Sequence, residues 1–224
     1  MLKRAPLNHF VKNIENLISA KRLESYNNSV EEHSKNLELI SKLTPDIAMI
    51  EISIRNIVDF YITQKYGTDW IANSSDEGIV SERDNISSRL KRGTTLTHEQ
   101  YLSNFSLGKI IHLAKDNFLE QKIFSDLSKF NFKDFATSNR NFYFYNNNKN
   151  NFTNYEKSEI ILSLLLTIRN RSYHWENLLK TRRSKNNNDN FPRITHRLHE
   201  TNIGIMPDKI EIFLKSVFIE ICKE

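Results

Sequence analysis

The chain has 224 residues, a net charge of +5 and a pI near 9.2, with 5 Gly, 4 Pro and one cysteine, Cys222. So few glycines and prolines leave few tight turns, which argues against many-stranded β architectures and for helices. A lone cysteine excludes an internal disulfide and a cysteine-based zinc site. The first residues lack an apolar h-region, and the longest apolar run is about half of the ~20 residues that a membrane span needs. A cytoplasmic protein with no membrane segment is expected.

In chain order, residues 7–26 carry Phe10, Val11, Ile14, Leu17 and Ile18 on one helical stripe. Asn27, Asn28 and Ser29 break it, and a short helix is expected over 30–43. Thr44-Pro45-Asp46 reads as a new helix start, with Thr as N-cap and Pro in the first turn. That helix runs to Tyr66, where Gly67 stops it. Further helices are expected over 81–92 and, from the capping-box pattern Thr97-His98-Glu99-Gln100, after Thr97. The 107–117 segment turns Ile110, Ile111 and Leu113 inward, and 118–135 holds one or two short helices. The Asn-rich 139–151 stretch reads as a surface loop, with a short hairpin at 142–145 as the alternative.

A second capping box, Thr153-Asn154-Tyr155-Glu156, opens an apolar run through Ile168. The helical pattern continues through Trp175, Leu178 and Leu179 to Arg183. Residues 185–190 are a polar loop, and Met206-Pro207-Asp208 starts a last helix with Ile210, Phe213, Leu214, Val217, Phe218 and Ile221 on its stripe. The whole reads as one domain, 1–224, with 1–43 as an N-terminal helical extension.

The chemistry-bearing stretch is Arg169-Asn170-Arg171-Ser172-Tyr173-His174. Its Arg-to-His spacing is matched at Arg4–His9, Arg92–His98 and Arg193–His199, and composition predicts roughly one such match by chance. Two features single out Arg169: it ends a run of core-type residues, and a polar amide, Asn170, follows it. A cluster anchored by a buried helix can have fixed geometry. Residues 167–200 also hold eight Arg and Lys against three acids, so this segment alone carries the net +5 of the chain. A local basic excess is the footprint of a polyanion binder, or an ordinary solvated face.

RNA supplies its own nucleophile, the 2′-hydroxyl. Its cleavage needs a base, an acid and a cation on the phosphate, and histidine and arginine meet those needs with no metal or other cofactor. On an ideal helix five positions turn the side chain by about 140°. Arg169 and His174 would then diverge, while His174 shares a face with Asn170 and Arg171. Either the helix bends there or a second chain completes the site. One motif offers a single histidine for two proton transfers, which favours a symmetric dimer.

Arg-polar-x-x-x-His at the end of a helix resembles the HEPN superfamily of ribonucleases. More closely, the chain resembles the Abi-like family of abortive-infection phage-resistance proteins. Glu51-Ile52-Ser53-Ile54-Arg55-Asn56 is similar to that family's early Glu-x-x-x-Arg-Asn helix. Tyr66-Gly67-Thr68-Asp69-Trp70 is similar to its closing Gly and Trp, and Phe105-Ser106-Leu107-Gly108 to its Ser-x-Gly turn. Ile205-Met206-Pro207 fits the start of its last helix. The similarity covers residues 45–221, within a 44–224 Abi-like HEPN region. It implies an all-α HEPN-like bundle with added N-terminal and peripheral helices, forming a homodimer. It also implies metal-independent RNA cleavage by a growth-arresting toxin of a phage-defence or toxin–antitoxin system, with a protein or RNA antitoxin as a further partner. By the same resemblance Arg169 would bind phosphate, Asn170 would orient and His174 would be the general acid/base. Toxins of this superfamily paired with nucleotidyltransferases carry a Tyr two residues after the His; Glu176 stands there.

Other readings stay open beside these. Arg169 and His174 could be structural, with His174 capping a helix and Arg169 pairing with Glu176 or Glu51, and Glu51 with Arg55 could be a helical ion pair or a support of the site. Arg171, Lys180, Arg182, Arg183 and Lys185 could follow an RNA backbone or form a solvated turn. Tyr173 and Trp175 could stack on bases, although Trp175 falls on the apolar stripe and is expected in the core. His196, His199 and Glu200 have a metal-like spacing without further ligands.

Overall fold

In the computed structural model, which describes residues 10–91, 93–183 and 189–223, the N-terminal stripe does not form one helix. Asn13 caps a short α1 (Ile14–Ile18), and Ser19, at φ 74°, separates it from α2 (Ala20–Leu23) and a 3-10 turn at Glu24–Tyr26. Phe10, Val11, Ile14 and Leu17 are exposed, and among the described residues of this stretch only Leu23 and Tyr26 are buried. Asn27 and Asn28 take left-handed conformations, as the expected break requires.

Ser29 then caps α3 (Val30–Tyr66), a helix of 37 residues that runs straight through the start expected at Thr44. The reason lies in its buried stripe. Ile40, Leu43, Ile47, Ile50, Ile54, Val58 and Ile62 repeat every three or four residues without a shift at Pro45. Pro45 and Ser41 face solvent, so the carbonyl that loses its helical partner is open to water. The Thr44 hydroxyl donates back to the Ile40 carbonyl at 2.7 Å, a mid-helix role in place of capping. Gly67, at φ 91°, ends the helix as expected.

Beyond it come α4 (Trp70–Asn73), α5 (Glu77–Ser88), α6 (His98–Asn104), α7 (Leu107–Asp116) and α8 (Glu120–Ile123). The helix expected over 81–92 starts earlier because Asp76 caps it; Arg92 lies outside the described residues. The Thr97 and Thr153 capping boxes both form, the second opening α9 (Asn154–Tyr173). The last helix, α10 (Ile210–Cys222), follows a 3-10 turn at Pro207–Lys209. α3 is the central strut: α7, α8, α9 and α10 all pack on it, and α9 is covered on another side by β5 of the last hairpin described below.

The all-α expectation is overturned. Helix accounts for 61% and strand for 12%, with three two-stranded antiparallel sheets among the described residues. Hairpin β1 (Phe142–Tyr145) with β2 (Asn148–Asn151) turns on Asn146 and Asn147, both left-handed. Hairpin β3 (Thr181–Arg183) with β4 (Asn190–Pro192) replaces the helical continuation expected to Arg183. Hairpin β5 (Ile194–Leu198) with β6 (Thr201–Ile205) turns on His199 and Glu200, at φ 43° and 63°. Isoleucines of this last pair, Ile194, Ile203 and Ile205, complete the core. A buried Asn139 ties it to the 130s: its side chain bonds both the N–H and the carbonyl of Gly204 and the carbonyl of Phe132. The loop expected over 185–190 lies mostly outside the described residues. No helix among the described residues is long and apolar enough to cross a membrane.

Candidate functional site

The hexapeptide sits where α9 emerges from the core. Ile160, Ile161, Leu164, Leu165 and Ile168 are fully buried and fix the helix against α3 and β5. The helix runs uninterrupted through Arg169 to Tyr173, with His174 as its C-cap. The chain then closes as a Schellman turn. The Glu176 N–H reaches the Arg171 carbonyl at 2.8 Å and the Trp175 N–H reaches the Ser172 carbonyl at 3.0 Å, with Trp175 left-handed at φ 56°.

Arg169 lies on one side of α9, against α3. Its Nε is 3.1 Å and its Nη2 3.5 Å from the two carboxylate oxygens of Glu51, and its guanidinium carbon sits 4.4 Å from the centre of the Tyr173 ring. Glu51 is buried and also accepts from Arg55 Nη2 at 3.3 Å, while Arg55 Nη2 reaches the Phe105 carbonyl. Two arginines therefore share one carboxylate. Of the partners expected for Arg169, Glu51 is the one found; Glu176 instead faces Arg171, 3.8 Å from its Nε. Arg169 Nη1 lies 3.4 Å from the exposed Asn170 amide oxygen.

His174 is exposed and has no side-chain hydrogen bond or ion pair among the described residues. That separates it from the other spacing matches. His98 is bound to Asp59 at 2.8 Å and His199 to Glu156 at 2.6 Å; Arg4, His9 and Arg92 lie outside the described residues. His174 thus offers an imidazole open to a ligand, beside exposed Asn170 and Tyr173.

Of the expected RNA-binding set, Arg171 and Arg182 lie within electrostatic reach of each other. Burial lowers the pKa of Arg171; Glu176 opposes this, and the positive charges of Arg193 and then Arg182 add to it. Lys180 is exposed near them, while Arg183 projects from the other face of the β3–β4 ribbon. Lys185 lies outside the described residues. Trp175, expected in the core, is exposed because the helix ends before it. His196 and His199 do not converge with Glu200: His199 turns to Glu156 and Glu200 to Arg197. No group of three or more His, Cys, Asp or Glu side chains among the described residues is arranged to hold a metal ion.

The residues that hold the segment after His174 were not anticipated. Arg22 Nη2 donates to the Trp175 carbonyl at 2.7 Å, and the Tyr26 hydroxyl donates to the same oxygen. Fully buried Asn36 donates to the Glu176 carbonyl at 3.0 Å and accepts from the Leu178 N–H at 2.8 Å. Asn177 reaches back to the Ser25 carbonyl. The N-terminal segment is therefore a clamp on the hexapeptide's exit. The signal was present in the sequence: His33 and Asn36 occupy the stripe positions that hydrophobic residues fill from Ile40 onward. A polar group at a core position demands a partner.

Compared with family models, with curated proteins and with solved structures, the chain matches none.

Proposed function

We propose that the chain is a metal-independent endoribonuclease of the HEPN type, similar to the Abi-like phage-resistance proteins and acting in the cytoplasm as a toxin. The observation that carries this reading is His174, exposed and without a side-chain partner among the described residues, beside Asn170, with the cationic face of Arg171 on the same side of the helix end. In the proposed reaction an imidazole takes the 2′-hydroxyl proton and the 2′-oxygen attacks phosphorus. The bond from phosphorus to the 5′-oxygen breaks, and a second imidazole, in its protonated imidazolium form, gives its proton to that oxygen. The products are a 2′,3′-cyclic phosphate and a 5′-hydroxyl. Two copies of His174 across a homodimer interface supply the two imidazoles. An antitoxin, protein or RNA, would restrain the toxin.

A second reading has its own observation. Arg169 is already satisfied by Glu51 and Tyr173, as in a catalytically silent HEPN module that binds RNA or a partner protein through its other cations. The two separate in one assay. Purified protein incubated with single-stranded RNA in EDTA should yield cyclic-phosphate ends, and His174→Ala should abolish them. Undiminished cleavage by that variant overturns the ribonuclease reading. Salt-sensitive binding without products from the wild type supports the second.

A further inference from the structure

Hairpin β3–β4 turns toward solvent a set of groups that the cleavage chemistry does not use. Its register pairs Thr181 with Pro192, Arg182 with Phe191 and Arg183 with Asn190. Directly opposed residues share a face of the ribbon, and successive residues alternate. Pro192 marks the inward face. It is buried against Gly204 of β6, where a Cβ would lie 2.3 Å from the Pro192 Cγ, so only glycine fits. The opposite face carries Arg182 and Phe191, both exposed. Exposed Lys180 immediately precedes β3 and half-buried Arg193 immediately follows β4, so both stand at the open end of the hairpin, away from its turn. The exposed Phe191 ring thus has Arg182 across from it, with Lys180 and Arg193 at the open end of the hairpin.

Arg171 adjoins this group from the end of α9, close enough for Arg193 and Arg182 to act on its titration. Glu176, at 3.8 Å from Arg171 Nε, faces the cluster as its acid. His174 is three residues on from Arg171, which puts the two on neighbouring positions of the helix end.

Several cations around an exposed aromatic ring suit one ligand class above others. A flat ring takes the face of a base, which is free only where bases are unpaired. The guanidinium groups take the phosphates. In a duplex the base faces are already stacked, so Phe191 would gain nothing. We propose that the open face of β3–β4, with Arg171, is a platform for unpaired RNA, the phosphates following Arg171, Arg193, Arg182 and Lys180 and a base stacking on Phe191. This rests on the reading of RNA as substrate and narrows it to single strands. A strand lying on the platform runs past His174.

The test uses the full chain carrying His174→Ala, so that binding is read without cleavage. Fluorescence anisotropy in EDTA compares a labelled unstructured RNA 12-mer with a blunt duplex of equal length. The single strand should bind at least tenfold more tightly. Phe191→Ala should weaken single-strand binding roughly tenfold and leave duplex binding unchanged, while Phe191→Trp retains it. Arg182→Gln and Arg193→Gln should each reduce the slope of log affinity against log salt by about 0.7. Equal affinity for duplex and single strand, or wild-type binding by Phe191→Ala, overturns the platform. A wild-type chain that cuts RNA, with Phe191→Ala and Arg193→Gln cutting as well as it does, overturns the platform and leaves the ribonuclease reading standing. Strand-selective binding by a wild-type chain that cuts nothing does the reverse. Phe191 and Arg182 are exposed, so unchanged circular dichroism and melting temperature show that these variants fold.

Discussion

The Arg169 guanidinium spans 118 residues of sequence to grip the buried Glu51 carboxylate with two nitrogens, at 3.1 and 3.5 Å. Arg55 holds the same carboxylate from within α3, at 3.3 Å. Removing the shared acid leaves two part-buried cations facing each other. Glu51→Gln is expected to cost about 2 kcal/mol, less than a fully buried pair because both arginines retain some solvent contact. Urea denaturation checks this. Adding Arg169→Gln to Glu51→Gln should then cost less than Arg169→Gln does alone. Strict additivity would mean that the contact carries no coupling energy.

Asn36 makes a second link of this kind, between α3 and the chain leaving His174. Its amide holds the part-buried Glu176 carbonyl and the buried Leu178 N–H and meets the Tyr26 hydroxyl. Asn36→Ala strands at least two backbone groups, and a loss of roughly 2–4 kcal/mol is expected. Asn36→Asp keeps the acceptor for the Leu178 N–H but sets a carboxylate against the Glu176 carbonyl, and should cost at least as much. Thermal melts of the two variants test the assignment. A loss below about 0.5 kcal/mol in both would show that the clamp contributes nothing.

How much of this was legible in the sequence depended on whether the signal was local. Both capping boxes and the Gly67 stop came from a few adjacent residues whose side chains satisfy nearby backbone groups, and they form as read. The helix start at Thr44-Pro45 failed because the same local pattern was outweighed by a core stripe passing through it. The β5–β6 turn gave no signal, because His199 and Glu200 adopt left-handed conformations that glycine or asparagine normally mark. For the candidate site, the sequence placed Arg169, Asn170 and His174 at a helix end, and it noted Glu51 beside Arg55. It could not choose between Glu51 and Glu176 as the partner of Arg169, since that depends on how α9 crosses α3. Arg193 entered only as a spacing match with His199 and in the charge of its segment, because it is the pairing of Arg182 with Phe191 that brings this part of the chain back beside β3.

Acidification should destabilise the fold from about pH 6.5 downward. Burial, and then the charge of Arg22, holds His33 below the ordinary histidine value. The Arg22 Nε–H donates to its Nε2 at 3.2 Å, which requires a neutral ring. His196 is lowered by burial too; Glu159 opposes that and Lys115 adds to it. Above 6.5 both rings are neutral in folded and unfolded chains, so their contribution is complete. As the pH falls the unfolded chain binds protons first, and stability is lost until the lower folded values are passed. Urea midpoints at pH 7.5, 6.5 and 5.5 should therefore decline. His33→Gln, which keeps a side-chain acceptor for Arg22, should flatten part of that decline. A midpoint that holds steady or rises at pH 5.5 contradicts the assignment.

Trp175 offers a test of the helix end itself. It occupies the left-handed position of the Schellman turn, at φ 56°, where a side chain costs roughly 1–2 kcal/mol relative to glycine. The position persists because Arg22 and Tyr26 fix its carbonyl from outside the helix. At a helical position alanine would be more stable than glycine by about 1 kcal/mol. In this turn the order should reverse: Trp175→Gly is expected to be more stable than Trp175→Ala by about 1 kcal/mol, both having lost the same exposed ring. Denaturant melts of the pair decide it. If alanine proves the more stable, α9 continues past His174 in solution, and the separation of His174 from the Arg169 side of the helix would have to be redrawn.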